Sequence, residues 1–299
     1  MRVTAFRPVA ALWVLGALPL AALASEGSID RTVAAEPQGE VQISNVSGTV
    51  DVRGWDRNEV RVSGDLGDDV ERVDVESSSG RTVIKVVLPR GSVHDGEATL
   101  EIQVPRLSSV EVSAVSADVS TRGVLGTQRL KSVSGEVTAD VAGDNSEVRS
   151  VSGDITVRGS GKPMALRVSS VSGSIDLSNA AGKLDAVTVS GDARLQLGEI
   201  SEVRGRTTSG TFDLRGKLNT DARVDVEAVS GDITLRLQGT KDLSTEIESF
   251  SGDITGCLAT NVERVSKYGP GKRLTIRTVE SGALVRAKTL SGDIEICDR

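Results

Sequence analysis

The chain has 299 residues, a formal net charge of −7 and only 2% aromatic residues. A conventional globular core of this length carries more aromatics, and the acidic balance lacks the clustered Lys and Arg that a nucleic-acid partner requires. With one His and two Cys, the chain cannot build the His/Cys metal sites of zinc proteins.

The first element is a processing signal. Arg2 and Arg7 precede an apolar run over residues 9–23, and Ala22-Leu23-Ala24 supplies the small residues a signal peptidase reads. The run is shorter than the roughly 20 apolar residues of a membrane span, so cleavage is expected after Ala24, with export and no transmembrane segment in the mature chain. Residues 25–35 are expected to be a flexible leader.

Residues 36–105 read as short strands around Val41-Ile43, Val50-Val52, Val60-Val62, Val73-Val75, Val83-Val87 and Leu100-Val104. Two arrangements fit them, a small β cap or degenerate first repeats. His94, in Gly91-Ser92-Val93-His94-Asp95-Gly96, reads as a solvated loop residue.

From residue 106 to 299 the chain repeats. Ser-Gly-acid units recur as Ser134-Gly135-Glu136, Ser152-Gly153-Asp154, Ser190-Gly191-Asp192, Ser230-Gly231-Asp232, Ser251-Gly252-Asp253 and Ser291-Gly292-Asp293. From Gly135 to Gly252 the glycine steps are 18, 20, 18, 19, 21 and 21 residues. Apolar columns lie five residues before each glycine (Leu130, Val148, Val168, Val226, Ile247), two before it (Val133, Val151, Val171, Val189, Val229) and two after it (Val137, Ile155, Ile175, Ile233, Ile254). One repeat has too little apolar surface to bury alone, but strands stacked about 4.8 Å apart turn each column into a dry ladder. The expected fold is therefore all-β: a right-handed parallel β-solenoid with coils of about 18–21 residues, C-terminal capping coils and, in one of the two readings above, a small N-terminal β cap. About ten coils would make a rod on the order of 50 Å long. All three columns are expected in the core, Val151 included. The glycine permits a bend or a close backbone approach, and the Ser and acid beside it are expected to hydrogen-bond nearby backbone.

The V-S-G-D-I-x-V units, with Gly54-Trp55-Asp56 and Val104-Pro105 upstream, resemble the bacterial "putative adhesin" domain-of-unknown-function family from about residue 36 onward. The resemblance implies an extracytoplasmic β-solenoid and brings no catalytic residues. This chain departs from the pattern in a long step from Gly252 to Gly282 and a short one to Gly292.

No nucleophile elbow or catalytic pair stands out, so no catalytic residue and no cofactor are expected. The acids after glycine could form one file; Asp154, Asp192, Asp232 and Asp253 are the candidates for divalent-ion binding, against the simpler reading as turn-forming acids. Cys257 and Cys297 each lie five residues after a repeat glycine. In an oxidising compartment they are expected to form a disulfide across adjacent coils, with residues 260–288 as one enlarged coil carrying an excursion at Tyr268-Gly269-Pro270-Gly271. The expected function is a non-enzymatic structural or interaction module, periplasmic or at the cell surface, that meets an envelope or surface macromolecule. The alternatives are a polysaccharide-active β-helix enzyme, disfavoured by the scarcity of aromatic sugar platforms, and an envelope-stress or signalling accessory.

Overall fold

The computed structural model describes residues 27–89, 91, 96–239, 243–277 and 282–298. The cleavage site at Ala24 and the loop residue His94 lie outside the described residues. Every described element is a strand, 22 in all, and no described helix is long and apolar enough to cross a membrane.

Period-two patterning sets the architecture. In β11 (Ile155–Gly159) Ile155 and Val157 are buried while Thr156 and Arg158 are exposed. Ile155 faces Val137 of β9 (Val137–Val141) on one side and Ile175 of β13 (Ile175–Thr188) on the other, all in parallel register. A second file runs through the other half of each repeat: Leu130 of β8 (Gln128–Lys131), Val148 of β10 (Ser146–Arg149), Val168 of β12 (Pro163–Ser170) and Ala186 of β13. Both files are buried, so each repeat contributes two strands whose inward residues stack on those of its neighbours. The stack continues through β14 (Ala193–Ser209), β15 (Phe212–Ser230) and β16 (Ile233–Gln238).

At both ends the stacking order departs from the chain order. β2 (Glu40–Trp55) lies between β7 (Ser109–Arg122) and the pair β5 (Arg81–Val87) and β6 (Glu97–Pro105), parallel to all three. β5 and β6 thus form a level outside the earlier one. β4 (Arg72–Ser78) and β3 (Glu59–Leu66) then pair antiparallel with β5 and β6. The region 36–105 therefore combines the two arrangements open from sequence, coils on the inside and antiparallel closing strands on the outside. Ser28–Ala34, expected in a flexible leader, is instead β1, antiparallel to β3 and held by a two-point ion pair from Arg61 to Asp30. That guanidinium lowers the Asp30 carboxyl below its usual range.

The C-terminal end mirrors this. β21 (Ala283–Ser291) and β22 (Ile294–Cys297) are not a terminal coil, as the order of the repeats suggested. They lie between β15/β16 and the earlier strands β17 (Leu243–Ser251) and β18 (Ile254–Thr255). The outer edge of β17 is closed by β20 (Lys272–Arg277), antiparallel to it and to β19 (Val262–Arg264). The expected excursion at Tyr268-Gly269-Pro270-Gly271 lies in the turn of this hairpin, residues 265–271. An unpaired sheet edge invites pairing with other chains, and the antiparallel closing strands cover the edges of β17, β5 and β6.

Charge explains why β21 sits where it does. One outward column, read in stacking order, runs Glu111, Arg129, Glu147, Arg167, Asp185, Arg204, Asp225, Arg286, Glu246, alternating in sign at every step. The neighbouring column runs Arg206, Glu227, Lys288, Glu248, Arg273. With β17 stacked directly on β15, Asp225 would face Glu246 and Glu227 would face Glu248. The basic strand between them converts two like-charge contacts into four opposite ones.

Candidate functional site

The corner where one strand of a repeat gives way to the next carries the sequence signal and, on its outer side, an exposed apolar ladder. Along Val148 to Ser150 the alternation is regular: Val148 in, Arg149 out, Ser150 in. Ser150 Oγ accepts the amide of Gly153 at 2.9 Å, as Ser132 does for Gly135, Ser170 for Gly173 and Thr188 for Gly191. These hydroxyls satisfy a buried backbone donor at the turn. With the serine turned in, the next residue must point out.

The expectation that Val151 is buried is therefore wrong, together with its column. Val115, Val133, Val151, Val171, Val189, Val229, Leu290 and Phe250 are 41–59% exposed. The columns five residues before and two after the glycine are buried as expected, with Ile155, Ile175 and Ile233 at 0–1% exposure. The columns five and two before glycine differ by an odd number of residues, so a regular strand cannot bury both. The capping hydroxyl three before the glycine was missed, although S/T-V-S-G is visible in the sequence.

Consecutive levels of the ladder are joined by backbone bonds, for example from Ser152 N to Val133 O and from Ser172 N to Val151 O, both 2.8 Å. In stacking order the ladder runs from Val46 beside Val115 to Leu290 and Phe250, interrupted only by Thr208. Ten levels span about 43 Å. An apolar strip of this extent, flanked by Ser and charged residues, is unusual on a protein with no contact to make.

The glycine beside it is required by close approach. A Cβ on Gly153 would lie 2.0 Å from Gly135 O, and one on Gly173 would lie 2.1 Å from Gly153 O. The acids after glycine tie level to level. Asp118 Oδ1 accepts Glu136 N at 2.9 Å, Asp154 Oδ1 accepts Ser174 N at 2.8 Å, and Asp192 Oδ1 accepts Thr211 N at 2.9 Å. Asp232 Oδ1 accepts Asp293 N at 2.8 Å, and Asp293 Oδ1 accepts Asp253 N at 2.7 Å. Ser174 and Thr211, which interrupt the file of acids, are thus recipients in this chain of caps. Among the described residues no three His, Cys, Asp or Glu side chains gather as a metal site would need, and Asp154, Asp192, Asp232 and Asp253 are not brought together.

Cys257 and Cys297 are free thiols in adjacent repeats. Cys257 N donates to Cys297 Sγ at 3.0 Å, and Asp298 N donates to Cys257 Sγ at 3.2 Å. The hydrogen bond to the Cys297 sulfur, and secondarily burial, raise the Cys257 thiol above its ordinary value. Trp55 holds the turn after β2 by donating Nε1–H to Glu59 O at 2.8 Å, with Arg57 stacked 5.0 Å from its ring.

Stacked parallel repeats with a continuous apolar corner define an all-β repeat protein. Residues 28–217, and again 180–297, match Toastrack DUF4097, and the chain belongs to that family. No curated protein sequence matches it. Similar solved structures include a "putative adhesin" from Parabacteroides distasonis, 10% identical over 90% of this chain and 97% of that one, with a TM-score of 0.38. A "putative adhesin" from Parabacteroides merdae (11% identity, 91% and 97% coverage, TM-score 0.34) and a "putative lipid binding protein" from P. distasonis (11%, 91% and 97%, 0.33) are also similar. At these scores none of the three says what this chain binds.

Proposed function

We propose that the chain is a non-enzymatic interaction module, exported through its N-terminal signal with cleavage after Ala24, in which a right-handed β-solenoid serves as a rigid scaffold for the corner ladder. The observation that carries this reading is the exposed column Val115, Val133, Val151, Val171 and Val189. Fully burying an exposed Val side chain is worth about 1.5–3 kcal/mol; these are already more than half covered, so each level contributes about 0.6–1.5 kcal/mol, and a partner that spans most of the ladder outweighs the entropic cost of docking. The partner is a macromolecule of the cell envelope or surface with an extended apolar face. In an oxidising compartment Cys257 and Cys297 close to a disulfide, which ties the inserted C-terminal repeat to its outer neighbour.

The test is the variant Val133→Asp/Val151→Asp/Val171→Asp. Since all three side chains face outward, it folds and keeps most of its thermal stability. Wild-type protein is expected to sediment with the envelope fraction of its host and the variant to be released. Equal retention of the two would remove the ladder as the contact surface.

A further inference from the structure

Between the levels of Val189 and Phe250 the ladder acquires a second wall. The β19–β20 turn, closed by Val265 N donating to Gly271 O at 2.8 Å, stands over the corner and forms a groove of about 680 Å³. Its floor is Val189, Val229, Leu290 and Phe250, and its wall includes Val265 and Pro270. The valines of the middle levels give way here to Leu290 and Phe250, which are 55% and 59% exposed. The apolar mass of the ladder is greatest where it is enclosed.

Backbone groups beside the floor are engaged between levels. Ser209 N bonds to Val189 O, Gly231 N to Ser291 O, and Gly292 N to Ser251 O, so these groups are spent in joining levels. A peptide laid along the apolar floor would leave unpaired each N–H and C=O not reached by a hydroxyl or cation of the rim, at about 1–3 kcal/mol each. A hydrocarbon chain carries no such groups. The groove crosses four steps of the stack, about 19 Å, so the occupant is long and narrow.

The rim selects the head group. Lys288 and Arg273 share the single carboxylate of Glu248, at 3.5 and 2.5 Å, which leaves that part of the rim one positive charge in excess. Both cations line the groove, and so does Arg206, 3.7 Å from Glu227. We propose that this groove binds one long-chain fatty acid, its acyl chain over Val229, Leu290 and Phe250 and its carboxylate at Lys288 and Arg273. This is a small-molecule site at one end of the ladder and goes beyond the macromolecular contact proposed for the middle levels.

The experiment titrates the purified mature chain with a dansyl-labelled long-chain fatty acid and displaces the probe with palmitate. Saturable one-to-one binding is expected. It should weaken at least tenfold in Phe250→Asp/Leu290→Asp, whose side chains are already more than half exposed and whose melting temperature should stay close to wild type. Val265→Asp, on the turn, should weaken it without touching the stacked repeats and serves if the double variant fails to fold. Val133→Asp, far along the same ladder, should leave binding unchanged, which keeps this test separate from envelope retention. Lys288→Gln should weaken palmitate several-fold and leave hexadecanol unaffected. Absence of saturable binding, equal binding by the groove variants, or hexadecanol displacing the probe as well as palmitate would overturn the assignment.

Discussion

Reversing the charges of the inserted strand, Arg286→Glu/Lys288→Glu, should detach the C-terminal repeat from the stack. In the native chain Arg286 lies between Asp225 and Glu246, 3.3 Å from the latter, and Lys288 lies between Glu227 and Glu248. Reversal turns four attractive contacts into repulsive ones. Exposed pairs contribute about 0.2–1 kcal/mol each, and unit charges one strand spacing apart repel by roughly 0.9 kcal/mol in water. Together the loss is about 4–8 kcal/mol at low salt, a fall of roughly 8–16 °C in melting temperature at about 2 °C per kcal/mol. Because the side chains are part-exposed, about 1 M salt should erase most of the difference. Thermal melts at low and high salt read both effects. Engineered cysteines then report the stacking order in a Cys257→Ser/Cys297→Ser background. Asp225→Cys with Arg286→Cys joins neighbouring levels and should oxidise readily. Asp225→Cys with Glu246→Cys spans two levels, about 9.6 Å, beyond disulfide reach. A salt-independent penalty, no penalty, or crosslinking of the second pair would refute the insertion of β21.

Three further outcomes follow from the corner geometry. Ile155→Asp buries an unpaired charge at a fully enclosed position and should cost upwards of about 4 kcal/mol, while Val151→Asp, four residues away, should change stability by under about 1 kcal/mol; chemical denaturation of both compares them directly. Gly173→Ala drives a methyl group against Gly153 O and should destabilise by about 1–3 kcal/mol although its φ lies outside the left-handed region, which thermal melting will show. Thiol titration of unreduced, denatured protein from an oxidising compartment should find no free thiol, and two per chain would sink the Cys257–Cys297 bond.

Much of this was legible from the period of the glycines. Columns such as Val148/Val168 and Ile155/Ile175 are apolar because their side chains close a core that no single repeat could close, and that requirement is visible residue by residue. Three features were not read. The ladder of Val133, Val151 and Val171 looks like a third core column until the odd offset from Val148 and the inward serine at 150 are considered together, since hydrophobicity alone does not report parity. The insertions at both ends pair strands distant in the chain, and stacking in chain order is the simpler assumption. At the C-terminal end its violation is recorded in the signs at 225, 246 and 286 and at 227, 248 and 288, which mean nothing until the register is known. Ser28–Ala34 was missed because its partner, β3, belongs to the irregular region that closes the stack rather than to the repeat.

The claim that the ladder is the contact surface is tested most directly by site-specific photo-crosslinking in intact cells, with the photoreactive residue placed once at Val151 and once at Thr156. Both positions are exposed, but only Val151 lies on the apolar corner. Adducts should form at Val151, with Thr156 blank. Equal labelling at Thr156 and Val151, or a blank at Val151, would contradict the claim.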